Sequence, residues 1–213
     1  MLCIISQWRN IAWTWEWEEA MNVLNRISEK ITNELIHNEI IDECDLEIYS
    51  FGIYQGVGFI VNVLTTILIF SLFDMLIQGL IFSAGYFLLR SYAGGFHSES
   101  TLSCYILSAF LMILSSIVMR ILVLDASLWL LFFILWLFIF AYAPVDTKTK
   151  RLDAVERKVY QVKTRCILIA IISLIGICSI CSFQDGILAL VMSIYLEGIM
   201  LIFGEFKNHL ADE

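Results

Sequence analysis

Proline occurs once in these 213 residues, at position 144, and charged side chains make up only 16% of the chain. A single proline argues against a loop-rich fold and leaves room for long, unbroken helices. A soluble domain carries about a quarter charged residues, so this shortage, set against 60% hydrophobic residues, excludes an ordinary soluble globule. Also missing is a secretory signal: in residues 1–20 Arg9 interrupts the apolar stretch, and no unbroken apolar core runs to a small-residue cleavage site. No basic patch is long enough to suggest nucleic acid as a partner.

What is there is apolar helix. A window of about 19 residues picks out six runs, at 52–73, 75–89, 102–119, 127–142, 166–183 and 186–206. The second and fourth are short, about 22–24 Å of helix against a bilayer core of about 30 Å. With six spans and both termini inside, the cytoplasmic side holds 12 of the 13 lysines and arginines, and only Arg120 lies outside. The expected fold is an all-α polytopic membrane protein of about six spans, preceded by an amphipathic helix. Its parts are a Trp-rich stretch (1–20), an amphipathic interfacial segment (21–50), a membrane-embedded domain (51–206) and a cytoplasmic tail (207–213).

Trp8, Trp13, Trp15 and Trp17 crowd the first part, which reads either as an interfacial anchor or as an extension ahead of Met21. Ala20, Leu24, Ile27, Ile31 and Leu35 then recur at helical spacing as one apolar stripe. That helix either caps the membrane bundle or docks a substrate. The net charge of −8 averages an acidic 16–47 segment with a basic 146–165 loop. The six cysteines do not form a disulfide framework, since thiols in or beside a cytoplasmic membrane face stay reduced. Cys178 and Cys181 have redox-motif spacing but lie in an apolar run, which favours a structural role. Neither cofactor nor metal is expected.

One polar constellation suits chemistry: Arg90-Ser-Tyr-Ala-Gly-Gly-Phe-His97, followed seven residues later by Cys104. A free thiol titrates near ~8.5 and only the thiolate is nucleophilic. Ser98, Ser100 and Thr101 are helix caps just ahead of the apolar run, and a cap there puts Cys104 where backbone dipoles favour an anion. On one continuous helix, residues seven apart are about 10.5 Å apart along the axis, too far for a hydrogen bond. His97 therefore reaches Cys104 only from a loop that folds back, and Gly94-Gly95 supplies the backbone freedom. The same glycines offer N–H groups to an oxyanion. Arg90 either snorkels at the membrane edge or grips a carbonyl or carboxylate of the substrate. Glu99 either orients His97 or is a solvated acid. Glu197, within the last run, is costly if ionised there and faces a partner helix, a dimer interface or a cavity.

These residues resemble the accessory gene regulator B (AgrB) family of bacterial quorum sensing. The likeness lies in Arg90-Ser-Tyr-Ala-Gly-Gly-Phe-His97, Cys104 and Ala143-Pro144-Val145-Asp146-Thr-Lys148, and covers roughly residues 21–206. It implies a cysteine endopeptidase of the bacterial cytoplasmic membrane, with Cys104 and His97 catalytic and Arg90 and Gly95 supporting. The implied partner is a small propeptide of the AgrD type, with an amphipathic leader, a signal segment and an acidic tail. Removal of the tail leaves a thioester that the propeptide's own nucleophile closes into a thiolactone or lactone. Lys148, Lys150 and Arg151 either attract that tail or simply mark the inner face. A homodimer is a family expectation. The rival readings are a transporter whose pathway holds Arg90, Arg120 and Glu197, or a peptide exporter.

Overall fold

The computed structural model describes residues 15–38, 40–96, 101–145 and 153–210. They form seven α-helices, α1 (Trp15–His37), α2 (Leu46–Leu72), α3 (Leu76–Ala93), α4 (Thr101–Ile121), α5 (Ala126–Tyr142), α6 (Ala154–Ile180) and α7 (Gln184–Leu210), with a 3₁₀ turn at Glu43–Asp45. No strand occurs among the described residues; Gly94 and Val145 form an isolated parallel bridge. This is an all-α, polytopic membrane fold. Four helices, α2, α4, α6 and α7, are long and apolar enough to cross a membrane. The other two of the six expected runs are α3, of 18 residues, and the apolar α5, of 17. They are the two that read as short from sequence.

The chain divides into two compact units between Leu64 and Thr65. In the first, α1 meets the start of α2 through hydroxyls rather than through its apolar stripe. The Ser28 hydroxyl donates to the Ser50 carbonyl at 2.5 Å, and Thr32 donates to the Ser28 carbonyl at 2.8 Å. Ser28 and Thr32 are buried, whereas Ile27 and Ile31 stay about 40% exposed. The apolar stripe of α1 is thus open on the outer side.

In the second unit α7 is the central helix. Of its apolar stretch 78% is buried, against 11–28% for the three other long apolar helices. It packs on α3, α5, α6 and α4. Lipid supplies no hydrophobic drive between helices, so close packing must hold them together, and small residues allow it. A Cβ on Gly85 of α3 would lie 2.9 Å from the Ser193 Oγ of α7. Polar links add to this: Tyr195 donates its hydroxyl to the Leu128 carbonyl at 2.6 Å, and Thr65 and Tyr105 share a hydrogen bond of 2.7 Å between α2 and α4. The outer faces remain apolar and exposed, as with Phe110, Ile113 and Ile117 on α4. Water would not tolerate so broad an apolar band, and lipid does.

Helix starts follow the local sequence. Asp125 caps α5 by accepting from the Leu128 N–H at 2.9 Å and the Ser127 hydroxyl at 2.7 Å. These two bonds, the backbone one first, hold its carboxyl below the usual aspartate value. Asp153 and Glu156 form a reciprocal capping box that opens α6 twelve residues before its apolar part. α5 stops at Tyr142 because Ala143, ahead of Pro144, takes an extended backbone (φ −69°, ψ 145°). The Ala143–Pro144 bond is cis.

Candidate active site

α3 ends at Ala93, where Gly94 (φ 80°) and Gly95 (φ 106°) turn the chain through backbone angles that side chains disfavour. Three parts of the fold fix this turn. From α3, one turn back, the Arg90 guanidinium donates to the carbonyls of Gly94 and Phe96. Beyond α5, the Val145 N–H donates to the Ala93 carbonyl at 2.9 Å, and the Val145 carbonyl leaves no room for a side chain on Gly94. From α7, the Met200 carbonyl accepts the Phe96 N–H at 3.0 Å. One turn further on, a Cβ at Gly204 would lie 2.8 Å from both the Gly95 Cα and the Phe96 nitrogen. The two motifs around Gly94–Gly95 and Pro144–Val145, some 50 residues apart in sequence, therefore lie side by side.

α4 begins at Thr101, so Cys104 sits in its first turn, as a half-buried free thiol. Tyr86, one turn before Arg90 on α3, lies within electrostatic reach of Cys104, Arg90 and Glu197 together. Four chemically active side chains from α3, α4 and α7 thus share one neighbourhood. Glu197 is fully buried, and neither of its carboxyl oxygens has a hydrogen-bond partner among the described residues. Arg90 acts on it through charge. His97 and Glu99, with the candidate caps Ser98 and Ser100, lie outside the described residues, as do Lys148, Lys150 and Arg151. Among the described residues, no three of His, Cys, Asp and Glu converge as metal ligands would.

Aromatic rings and cations line the same end of the helices. Lys163 Nζ lies 4.7 Å from the ring centre of Tyr92, and Lys207 Nζ lies 5.2 Å from that of Phe96. Arg165 stands 4.6 Å over Phe140 and donates its Nε–H to the Phe140 carbonyl at 3.4 Å. Such pairing keeps positive charge at an apolar boundary.

The family profile of accessory gene regulator B (AgrB) matches residues 28–201, which take in the whole of this neighbourhood. The chain belongs to the AgrB family. It is 30% identical to an AgrB-like protein of Clostridium perfringens strain SM101 over 191 residues, covering 84% of this chain and 86% of that one. With a second AgrB-like protein, of C. perfringens strain 13, it shares 27% identity over 195 residues, 86% of each. No solved structure matches the chain. AgrB membership ties it to the accessory gene regulator system and to the processing of quorum-sensing peptides.

Sequence reading singled out Arg90, Gly94, Gly95 and Cys104, but missed what holds them. Arg90 uses its fork on the chain's own carbonyls, a partnership that no spacing rule announces. Tyr86, Val145, Met200 and Gly204 went unnoticed. Two signals were available: Tyr86 is four residues before Arg90, and Glu197, Met200 and Gly204 follow one another at helical spacing on one face of α7.

Proposed function

We propose that this membrane protein is a cysteine endopeptidase that removes the acidic tail of a small propeptide and hands the remaining segment on to ring closure. The observation that carries the reading is the Cys104 thiol, in the first turn of α4 and in the same neighbourhood as Arg90, whose side chain clasps the glycine turn leading into His97. Backbone dipoles at a helix start favour an anion there.

In this reading the Cys104 thiol gives its proton to His97, and the sulfur attacks the carbonyl carbon of the scissile peptide bond. The C–N bond breaks, and the departing amine of the tail takes the proton back from His97. The N–H groups of Gly94 and Gly95 are the candidate donors to the oxyanion. The signal segment is then held on sulfur as a thioester, which keeps the activation that hydrolysis would lose. A thiol or hydroxyl of the propeptide itself loses its proton to His97, attacks the same carbon and closes the ring. The C–S bond to Cys104 breaks, and the thiol is regenerated. Exclusion of water at the membrane boundary favours this internal attack, for which effective concentration is high.

The active site faces the cytoplasm, on the side that carries 12 of the 13 lysines and arginines. The segment with Lys148, Lys150 and Arg151, together with the cations at Tyr92, Phe96 and Phe140, supplies the field that draws in an acidic tail. A transport pathway through Arg90, Arg120 and Glu197 has less support, because Arg120 lies exposed in the last turn of α4, far from Cys104 in the first.

The test is co-expression of wild type, Cys104→Ala and His97→Ala with the propeptide encoded beside it, followed by mass spectrometry. Loss of the tail in wild type alone, with a thioester adduct trapped on Cys104, is the expected result. Equal processing by all three would overturn the reading.

A further inference from the structure

Glu197 has no place in the reaction just described, yet it is the most demanding residue in the bundle. A carboxyl group wholly out of water needs a donor or a counter-charge. It has no hydrogen-bond donor among the described residues, and it makes no contact with water or with a bound peptide because it is fully buried. The charge that acts on it is that of Arg90. Arg90 in turn gives two of its N–H groups to the Gly94 and Phe96 carbonyls, and a guanidinium has five. The two groups make no direct ion pair in this structure, but in a low-dielectric interior attraction between opposite charges extends beyond contact distance.

The placement on α7 points the same way. Glu197, Met200 and Gly204 succeed one another at single helical turns. Met200 holds the Phe96 N–H, and Gly204 abuts the Gly95 and Phe96 backbone. One face of α7 therefore meets the catalytic turn with a carbonyl, a gap for backbone and a buried negative charge.

We propose that Glu197 is a positioning residue: it is the counter-charge that keeps Arg90 aimed at the Gly94 and Phe96 carbonyls, and through Arg90 it fixes the backbone from which His97 departs. The inference rests on the cysteine peptidase reading. It assigns Glu197 no contact with substrate and no proton transfer.

The experiment uses the full-length protein in liposomes with the propeptide, and compares Glu197→Gln, Glu197→Asp, Arg90→Gln and the Glu197→Gln/Arg90→Gln double variant with wild type and Cys104→Ala. Glu197→Gln should lower kcat by about tenfold to 10²-fold, the scale of a displaced catalytic group, with KM little changed. Glu197→Asp, which keeps the charge, should recover part of the loss. The double variant should be no slower than Arg90→Gln alone, because residues that act as one unit are not additive. If Glu197→Gln does not fold, as judged by its melting temperature, Glu197→Asp against Arg90→Gln carries the test through its kcat. Wild-type kcat in Glu197→Gln with Cys104→Ala inactive would overturn the positioning role and leave the peptidase reading intact. Multiplying losses in the double variant would overturn it too. Full processing by Cys104→Ala would bring down the reading itself, and the inference with it.

Discussion

Gly95 and Gly204 meet backbone to backbone: a Cβ on Gly204 would stand 2.8 Å from the Gly95 Cα and 2.7 Å from its carbonyl carbon. One glycine belongs to the turn that leads to His97, the other to the central helix. The contact leaves no room for even a methyl group, and what lies opposite is main chain, which cannot rotate aside.

Gly204→Ala should therefore displace the turn or part α7 from it. Overpacking of this kind costs about 1–3 kcal/mol. The expected outcome is a lower melting temperature in detergent together with loss of propeptide cleavage. Unchanged cleavage would show that the turn does not need this contact.

Arg90→Lys keeps the charge but cannot fork to two carbonyls. Membrane insertion, followed by immunoblot, should stay at the wild-type level, while cleavage falls by on the order of 10²-fold. If the lysine variant cleaves normally, charge alone suffices at this position and the bidentate clasp is unimportant.

Sidedness gives a third expectation. With the basic residues inside, Cys104 opens toward the cytoplasm. A membrane-impermeant maleimide should label Cys104 in inverted vesicles and leave it unlabelled in right-side-out ones, in a variant whose other cysteines are serine. The reverse pattern would invert the topology.

Neutralising Lys148, Lys150 and Arg151 together should raise KM for the propeptide and leave kcat near wild type, as for loss of uniform binding. Added salt should weaken wild-type binding in the same sense. Indifference of KM to both would leave those residues as markers of topology only.

Asp125 offers a test by pH. Its carboxyl titrates below the ordinary 3.8 in the folded protein, held down by the Leu128 N–H and the Ser127 hydroxyl. A lowered folded value means that the stabilisation is fully present above the unfolded value and is lost as pH falls through the folded one. Asn also caps helices but does not titrate. Between pH 5 and 3, roughly the carboxylate range, Asp125→Asn should lose less melting temperature than wild type. Parallel curves would remove the cap from the acid response.

The helices were legible in the sequence wherever apolar runs marked them, and their ends were not. The fifth run reads as 166–183, yet α6 starts at Ala154, because a hydropathy window stops at Arg157, Lys158, Lys163 and Arg165 while the helix continues from its Asp153–Glu156 cap. α3 continues past Leu89 to Ala93, which places Arg90 inside the helix and one turn from the carbonyls it holds. The apolar stripe of α1 was correctly read as periodic, but it is Ser28 and Thr32, on the neighbouring face, that are buried. At the site, Cys104 and the glycine turn could be found from residue types and spacing. The hold of α7 on the turn could not, since it runs through the Met200 carbonyl and a missing side chain at Gly204, and main-chain groups have no signature in a sequence.

The burial of α7 has a consequence for biosynthesis. Helices α2 to α6, the Cys104 thiol and the glycine turn all leave the ribosome before Met200 and Gly204 are made. Until α7 threads in among them, the turn lacks its third support and Arg90 lacks its internal counter-charge. Competence thus arrives late in translation, and a chain interrupted ahead of residue 197 would sit in the membrane with its thiol in place and nothing to work against.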